Sequence, residues 1–219
     1  MRLRDLFKLL PETIRHRIIR SRLRLNPEAS SDFIFKPAET KEELEEAFAV
    51  LHDAYVGQGY MDPHASGLRV TKYHALPTTT VLVAKDRNSN RVVGTISIVR
   101  NTSRGIPLDS AFSIKHIKSQ YAHFAEVSSL AIRKEYRNKP TDLLWPFLRY
   151  FYRYCRDVMK LEAYIIGVNP SWHDLYSGIL GFKRLSGLSL KEYGFVKNAP
   201  VVAYIADLAE QELIFYKEY

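Results

Sequence analysis

The sequence predicts a mixed α/β (α+β) domain with a largely antiparallel central sheet that is flanked by helices. Three observations favour this class. Strand-like and helix-like stretches alternate from residue 33 to residue 208, a hairpin signal joins two β-branched runs, and a long apolar strand lies near the middle of the chain. With 219 residues, 46% of them hydrophobic and 26% charged, the chain has enough apolar side chain for one full core.

The first 25 residues form a basic segment. Eight basic residues stand there against two acidic ones, which gives +6 of the chain's net charge of +8. Apolar residues recur at helical spacing, and Pro11 is placed to start a second helix, so two short amphipathic helices are predicted. This arm either packs on the domain with its arginines in water or docks on an anionic membrane surface or an acidic protein. Residues 1–31 are assigned to the arm and a linker, and residues 32–219 to the functional domain.

The elements of the domain follow from local signals. Thr40 is expected to cap a helix, and Glu43 three residues later to complete a capping box. A long loop rich in Gly, Pro and His precedes the hairpin, whose turn is the polar run at residues 86–90. In order, the predicted elements are strand 33–37, helix 40–55, strands 79–85 and 91–99, a short helix around Ile114, strand 124–132, helix 141–160, strand 163–168, helix 171–180 and strand 201–208.

The strand at residues 124–132 holds the first candidate catalytic group. Strict alternation puts Glu126, Ser128, Leu130 and Ile132 on one face and Ala125, Val127, Ser129 and Ala131 on the other. Both faces are mainly apolar, as in a central strand covered on each side. A carboxylate there is costly unless it is paired or functional, and burial raises its pKa towards the value that suits a general base. The alternative is a structural Glu126 that pairs with an arginine.

A second candidate group follows the strand that ends at Asn169. A helix is expected to begin near Ser171 and to stop at Gly181. Tyr176 lies about one and a half turns into that helix, from where it could face the sheet. The alternative for Tyr176 is ordinary core packing with a bonded hydroxyl.

Composition and charge limit which other sites and partners the chain can have. One cysteine, Cys155, and seven histidines without paired ligand spacing predict no metal site and no disulfide. Outside the arm the net charge is only +2, so nucleic-acid binding is not expected. No apolar run is long enough to span a membrane and no signal peptide is evident, so we expect a cytoplasmic protein, peripheral at the inner membrane face if the arm docks there.

Taken together, these stretches resemble the GNAT superfamily of N-acyltransferases. The resemblance rests on strand 124–132, the basic turn after it, the long helix, and the Asn169-x6-Tyr176 and Gly181-Phe182 pattern. Within that superfamily, the chain from about residue 33 to residue 208 is similar to the FeeM-type long-chain N-acyl amino acid synthases. The motifs that carry this likeness are Arg69-x-Thr71-x-Tyr73, Leu76-Pro77-x-Thr79, Val93-Gly94-Thr95, Gly105-Ile106-Pro107 and Ala125-Glu126-Val127-Ser128-x-Leu130-Ala131.

The resemblance implies a reaction. Two neighbouring strands would splay apart to admit the pantetheine arm of an acyl thioester, and a fatty acyl group would move from acyl carrier protein to the α-amine of an amino acid. Glu126 would act as general base, a backbone N–H of Ser128, Ser129 or Leu130 would stabilise the oxyanion, and Tyr176 would protonate the departing thiolate. Neither a metal, a tightly bound cofactor nor a covalent enzyme intermediate is expected.

Donor and acceptor contacts can also be assigned. Family members that use acetyl-coenzyme A usually carry a glycine-rich turn for the pyrophosphate, whereas residues 133–141 contain no glycine. A donor with a single phosphate on a carrier protein fits this turn better than coenzyme A, although acyl-coenzyme A stays an alternative. Arg69 is the candidate for the carboxylate of the amino-acid acceptor, with a surface ion pair as its alternative. The expected phosphate ligands are Arg133, Arg137, Lys139 and Thr141.

Three other functions remain open at this point. The chain could acetylate a small amine or a protein with acetyl-coenzyme A, or act as a homoserine-lactone-type synthase with S-adenosylmethionine. It could also be a GNAT-like binding module without activity, tethered by its basic arm.

Overall fold

The computed structural model describes residues 9–22, 32–137, 143–185, 191–192, 194–197 and 199–218. The first predicted arm helix, Lys139 and Thr141 lie outside these residues. The described helices and strands are α1 (Glu12–Arg22), β1 (Phe33–Pro37), α2 (Lys41–Gly57), β2 (Thr79–Asp86), β3 (Val92–Arg100), α3 (Lys115–Gln120), β4 (Phe124–Ile132), α4 (Leu144–Arg153), β5 (Ala163–Val168), β6 (Lys183–Arg184), β7 (Lys191–Glu192), β8 (Pro200–Asp207) and α5 (Leu208–Glu218).

The strands build one mixed, mostly antiparallel sheet, as predicted. Their order is β1-β2-β3-β4-β5-β8-β6, and the short β7 also pairs with β8. The pairing of β4 with β5 is parallel, and every other pairing among the described strands is antiparallel. Strands β4 and β5 therefore lie at the centre of the sheet, with layers on both faces.

Helices and loops cover the two faces with different partners. On one face, called the α4 face, α4 packs with the segment 174–182 and the start of α5 around Tyr164 and Tyr204. On the other, called the α2 face, α2 covers β2 and β3, and loop residues 106–117 cover β4, β5 and β8. The apolar character of both faces of β4 and β5 agrees with a doubly covered central sheet.

Helix α2 begins as its sequence predicts, with one difference. Thr40 Oγ1 accepts the N–H of Glu43 at 3.2 Å, but the Glu43 carboxylate accepts the N–H of Glu39 at 2.9 Å, so the predicted capping box is only half formed. Burial alone would raise the pKa of Glu43, but the N–H of Glu39 and the ammonium groups of Lys85 and Lys36 lower it to about 2. The carboxylate thus ties α2 to β1 and β2.

Strand β4 contains a bulge that the alternation rule did not foresee. Ser97 stands opposite Ser128 and Thr95 opposite Ala131, so that Ser129 and Leu130 share one position on β3. Ser129 adopts the left-handed region with φ of 61°, as bulges often require. The predicted faces are therefore wrong beyond Ser128: Ile132 joins Ala125 and Val127 on the α4 face, and Ala131 lies on the α2 face.

Two predicted helices are shorter or wound differently. Helix α4 begins at Leu144 and continues as a π-helical turn over Tyr154–Val158. The predicted helix 171–180 is a 3₁₀ turn over Pro170–Trp172 followed by a π-helical turn over Asp174–Ile179. Helix α5 was not predicted, although Asp207 caps it by accepting the N–H groups of Ala209 and Glu210 at 3.0 and 3.1 Å. Within the described residues, no helix has the length and apolar character needed to cross a membrane.

The second arm helix, α1, packs on the domain. Arg15 contacts Asp174 at 2.8 Å, and Arg20 Nε donates to the carbonyl of Gly178 at 2.7 Å. His16 contacts Asp174 at 3.2 Å and lies so close to Gly178 that a Cβ there would stand 2.6 Å from its ring. Helix α1 thus packs on the domain, as one alternative for the arm proposed, but Arg15 and Arg20 contact the domain, whereas that alternative placed the arginines in water.

Candidate active site

The centre of the sheet opens between β4 and β5. Their pairing runs from Phe124 with Ala163 to Glu126 with Ile165, and beyond these residues the two strands separate. This separation is the splay that the family resemblance implied. It leaves a gap between residues 127–130 of β4 and residues 166–169 that none of the described strands fills.

A cavity of about 690 Å³ occupies this gap, a volume typical of ligand sites. Its wall on the α4 face is mainly apolar, whereas two tyrosines from the end of α2 and the loop after it reach it from the other side. The cavity therefore connects the two faces of the sheet. Its principal lining residues are Tyr55, Tyr60, Val127, Ser128, Ser129, Leu130, Leu144, Trp145, Leu148, Phe151, Tyr152, Tyr164, Ile166, Val168, Leu175, Tyr176, Leu180, Phe182, Val196 and Gln211.

Glu126 lies at the last paired position before the splay. Its side chain is 1% exposed, and its Oε2 accepts the N–H of Leu108 at 2.6 Å. Such a bond stabilises the ionised carboxylate. Glu126 does not line the cavity itself, but Tyr55, which does, lies close enough for the two groups to interact. The carboxylate is thus held beside the cavity on the α2 face.

Tyr55 lines the cavity next to Glu126, and Arg69 contacts Tyr55 without itself lining the cavity. The Arg69 guanidinium lies 4.0 Å from the centre of the Tyr55 ring, and its NH2 group donates to the carbonyl of Phe195 at 2.5 Å. Burial raises the pKa of Tyr55, the positive charge of Arg69 opposes this, and the charge of Glu126 adds to it. The buried Nε of Arg69 has no hydrogen-bond partner within the described residues.

The loop that carries Arg69 is held in place by backbone contacts. The N–H of Arg69 donates to the carbonyl of Phe48 in α2 at 3.1 Å. His74 accepts the N–H of Thr71 at 3.0 Å and thereby caps the 3₁₀ turn that follows. Burial lowers the pKa of His74 to about 4, so this cap is neutral at physiological pH. These contacts therefore hold the backbone in place at Arg69 and just after it.

Tyr176 reaches the cavity from the π-helical turn. Its ring packs edge-on against Phe182, with 5.5 Å between ring centres. Burial raises the pKa of Tyr176 to about 12, with a smaller contribution from Tyr55. The two phenols therefore lie near each other and are protonated at neutral pH. The hydroxyl of Tyr176 makes no hydrogen bond to the described part of the chain, which leaves it available to a ligand.

The bulge in β4 places Ser128, Ser129 and Leu130 on the cavity wall. The two serine hydroxyls lie 3.4 Å apart, and Leu130 is 37% exposed. Because β5 has separated from β4 here, backbone groups on this edge can meet a ligand. The predicted oxyanion segment thus lies beside Tyr176 at the gap.

Of the predicted phosphate ligands, the structure describes Arg133 and Arg137, and neither lines the cavity. Arg133 Nε donates to the carbonyl of Val92 at 2.8 Å, and Arg137 Nε donates to the carbonyl of Ile132 at 2.6 Å. Both arginines precede α4, whose first residues Leu144 and Trp145 line the cavity. Both guanidinium groups are thus held by backbone carbonyls, outside the cavity lining.

One group of described residues has the donor atoms for a metal ion. Atoms of His16, His173 and Asp174 lie within 4.8 Å of one another. Arg15, however, binds the same oxygen of Asp174 as His16 does. The cluster therefore serves to anchor α1 on the segment that carries Tyr176.

The family model of the N-acyl amino acid synthase FeeM matches residues 46–207 of the chain. This range includes Glu126, Tyr176, Arg69 and the whole splay.

The chain belongs to the FeeM N-acyl amino acid synthase family.

Solved structures support this family placement at the level of the fold. FeeM from uncultured soil microbes superposes with a TM-score of 0.65 at 23% identity, covering 83% of this chain and 93% of that one. BjaI, a CoA-dependent acyl-homoserine lactone synthase, gives a TM-score of 0.58 at 18% identity over 81% and 82% of the two chains. An acetyltransferase of the GNAT family from Streptococcus pneumoniae gives 0.52 at 14% identity over 80% and 98%. No curated protein sequence matches the chain.

The family and fold together identify an N-acyltransferase. Sequence reasoning missed several residues of this FeeM-family site. Tyr55 and Tyr60 fall at a helix end and in a loop, and Gln211 belongs to the unpredicted α5. The capping signal at Asp207 was the feature that could have revealed α5, since two N–H groups of its first turn bond there.

Proposed function

We propose that the protein transfers a long-chain fatty acyl group from the phosphopantetheine arm of acyl carrier protein to the α-amine of an amino acid. The observation that carries the proposal is the cavity that passes through the sheet between β4 and β5. Its α4 side is lined mainly by apolar and aromatic side chains, and its α2 side lies beside a buried carboxylate and an arginine. The donor brings an apolar acyl chain and the amino-acid acceptor is charged, so each side of the cavity matches one of the two substrates.

The α4 side suits an acyl chain. Leu148, Phe151 and Phe182 are among its lining residues, and the volume of about 690 Å³ is far more than an acetyl group requires. Burying each methylene group there gains about 0.8 kcal/mol, so a long chain is favoured over a short one. This size is the reason to prefer fatty acyl transfer to acetylation.

The α2 side suits an amino acid. The free Nε–H of Arg69 and the neighbouring Tyr55 would bind its carboxylate, and Glu126 would face its ammonium group. An arginine binds a carboxylate through charge-assisted hydrogen bonds that are stronger than neutral ones. We therefore assign Arg69 to the acceptor, as the sequence suggested.

The proposed chemistry is direct aminolysis of the thioester. Glu126 accepts a proton from the ammonium group, directly or through water, and the amine then attacks the thioester carbonyl. A backbone N–H of Ser128, Ser129 or Leu130 stabilises the oxyanion while the C–N bond forms. Collapse breaks the C–S bond, the nitrogen loses its second excess proton to solvent to become the amide N–H, and the released pantetheine thiolate takes up a proton from solvent.

Tyr176 acts in this scheme by donating a hydrogen bond to the thiolate. A thiol has a pKa of about 8.5, well below the pKa of about 12 that burial gives Tyr176. Complete proton transfer from the phenol to a solvated thiolate would therefore be unfavourable. We revise the role of Tyr176 accordingly, from general acid to stabiliser of the leaving group.

The donor proposal rests on the turn before α4. Arg133 and Arg137 supply positive charge in the turn between β4 and α4, whose first residue Leu144 lines the cavity, and residues 133–141 contain no glycine to wrap a pyrophosphate closely. A single phosphate at the end of a pantetheine arm needs fewer backbone N–H contacts than the pyrophosphate of coenzyme A. Lys139 and Thr141 complete the proposed set of phosphate ligands.

The function can be tested with the purified protein. Acyl carrier proteins loaded with chains of different length would be incubated with a mixture of amino acids, and the products analysed by mass spectrometry. We expect N-acyl amino acids with release of free carrier thiol. The matched control is Glu126→Gln, which keeps the shape of the carboxylate and should lower turnover by roughly 10²-fold or more. Failure to form an amide from any acyl donor and amino acid would refute the proposal.

A further inference from the structure

Two buried polar side chains, Tyr164 and Gln211, line the cavity where α5 packs on β5. Tyr164 pairs with Ala125 of β4 and with Ala206 of β8, one position before β4 and β5 separate. Gln211 approaches it from α5. Both residues line the cavity and are almost fully buried, with 2% and 3% exposure. The ring of Tyr164 packs against Phe151 and Phe182, with 5.1 and 5.4 Å between ring centres, and the partly exposed Arg156 and Glu212 also line the cavity.

Gln211 is bonded in two directions at this part of the cavity. The hydroxyl of Tyr164 donates to its Oε1, and its Nε2 donates to the carbonyl of Leu180 at 2.8 Å. Leu180 is itself a lining residue at the end of the segment that carries Tyr176. The side chain of Gln211 thus joins β5, α5 and that segment in one row of hydrogen bonds.

The start of α5 is fixed, so this row cannot easily move outwards. The N–H of Leu208 donates to the carbonyl of Glu162 at 2.9 Å, and the Tyr152 hydroxyl donates to the carbonyl of Leu208 at 3.2 Å. One turn later Glu212 forms an ion pair with Arg156 of the π-helical turn after α4. Helix α5 is therefore held from both sides of Gln211.

We propose that Gln211 is the floor of the acyl site and sets the upper limit of acyl chain length, an inference that rests on the proposed acyltransferase function. A chain that fits would end with its methyl group against Gln211. A longer chain would have to displace the amide, leaving the Tyr164 hydroxyl and the Leu180 carbonyl without partners in apolar surroundings. A shorter chain would leave lining surface unfilled and lose methylene burial.

Two variants separate the volume of Gln211 from its hydrogen bonds. Gln211→Met keeps a side chain of similar length, whereas Gln211→Ala removes most of it, and both lose the bonds to Tyr164 and Leu180. Each protein would be given an equimolar series of acyl carrier proteins with even-numbered chains, and the product lengths would be measured by mass spectrometry. Thermal melting of both variants would establish that they fold.

We expect Gln211→Ala to raise the ratio of product two carbons above the wild-type limit to product at that limit by about tenfold. Gln211→Met should keep the wild-type limit. An unchanged limit in a folded Gln211→Ala protein would overturn the inference, as would an equal shift in both variants. Absence of any N-acyl amino acid from wild-type protein would instead refute the proposed function, so the two failures are distinguishable.

Discussion

At the scale of single residues, Tyr176 offers the sharpest test of the chemistry. Tyr176→Phe removes one hydrogen bond to the leaving thiolate and should lower kcat by about tenfold, less than Glu126→Gln. Because burial holds the pKa of Tyr176 at about 12, the phenol keeps its proton below that pH. Its contribution should therefore be constant between about pH 7 and pH 10.

The measurement is the ratio of wild-type to Tyr176→Phe kcat across that pH range, with the thiol product quantified. A ratio that falls towards unity as pH rises would mean that Tyr176 loses its proton in the assayed range. A variant with normal kcat but weaker donor binding would show that Tyr176 serves only in packing.

Arg69 can be tested through the acceptor. Arg69→Ala removes the proposed carboxylate contact and should raise the acceptor KM at least about tenfold while leaving the donor KM unchanged. The matched control substrate is the amine that corresponds to the amino acid without its carboxylate. Since this amine has no carboxylate for Arg69 to bind, its KM should not depend on Arg69. An equal loss for the amino acid and this amine would assign Arg69 to holding Tyr55 and Phe195 in place.

The burial of Glu126 was predictable from the sequence, whereas its catalytic role stays a prediction. Glu126 stood out because a carboxylate on a doubly apolar strand needs a reason, and the structure buries it with a backbone donor from Leu108. The sequence gives no comparable signal for Tyr55, because a tyrosine at the end of a helix is common and costs nothing to bury in part. Its place beside Glu126 depends on loop packing between residues far apart in sequence.

At the scale of elements, α1 packs against the π-helical turn over Asp174–Ile179, and a substitution at their contact should separate the two. A Cβ at Gly178 would stand 2.6 Å from the His16 ring, so Gly178→Ala should push α1 off this surface. We expect faster proteolysis near residues 9–22 and a lower Tm. Adding His16→Ala removes the opposing ring and should restore much of the resistance. If Gly178→Ala alone changes neither protease sensitivity nor Tm, α1 is not held by this contact.

Strand and helix positions were predictable to different degrees. The bounds of β4 and β5 follow directly from their apolar runs, because a central strand is buried on both faces. The bulge at Ser129 was not predictable, since a serine seldom adopts a positive φ and nothing in its residue type announces one. The π-helical turns were missed for a similar reason, because one extra residue per turn hardly alters the apolar pattern.

At the scale of the whole molecule, charge should decide which donor is used. Acyl carrier proteins are acidic, and complementary charge speeds association in a manner that salt weakens. Most of the chain's net charge of +8 lies in residues 1–25, and Arg133 and Arg137 add to it in the turn between β4 and α4. We expect a higher kcat/KM for acyl carrier protein than for the matching acyl-coenzyme A.

That advantage should shrink as salt rises from about 0.05 to 0.5 M, because the Debye length contracts. Reversing the charges of Arg133 and Arg137 should impair the carrier-bound donor most at low salt. Removing residues 1–8 and testing binding to anionic vesicles would separate carrier docking from membrane docking by the arm. Equal efficiency of both donors at every salt concentration would contradict the carrier proposal.

The passage of the cavity through the sheet also constrains the order of events in turnover. In the proposed arrangement, the acyl chain on the α4 face and the amino acid on the α2 face do not occupy the same space, so both substrates can be bound before the C–N bond forms and the C–S bond breaks. Cys155, the chain's one cysteine, is buried, and burial raises the pKa of its thiol, which disfavours the reactive thiolate there. Initial-rate plots at several fixed acceptor concentrations should accordingly intersect, as for a ternary complex, whereas parallel lines would reveal an acylated enzyme form.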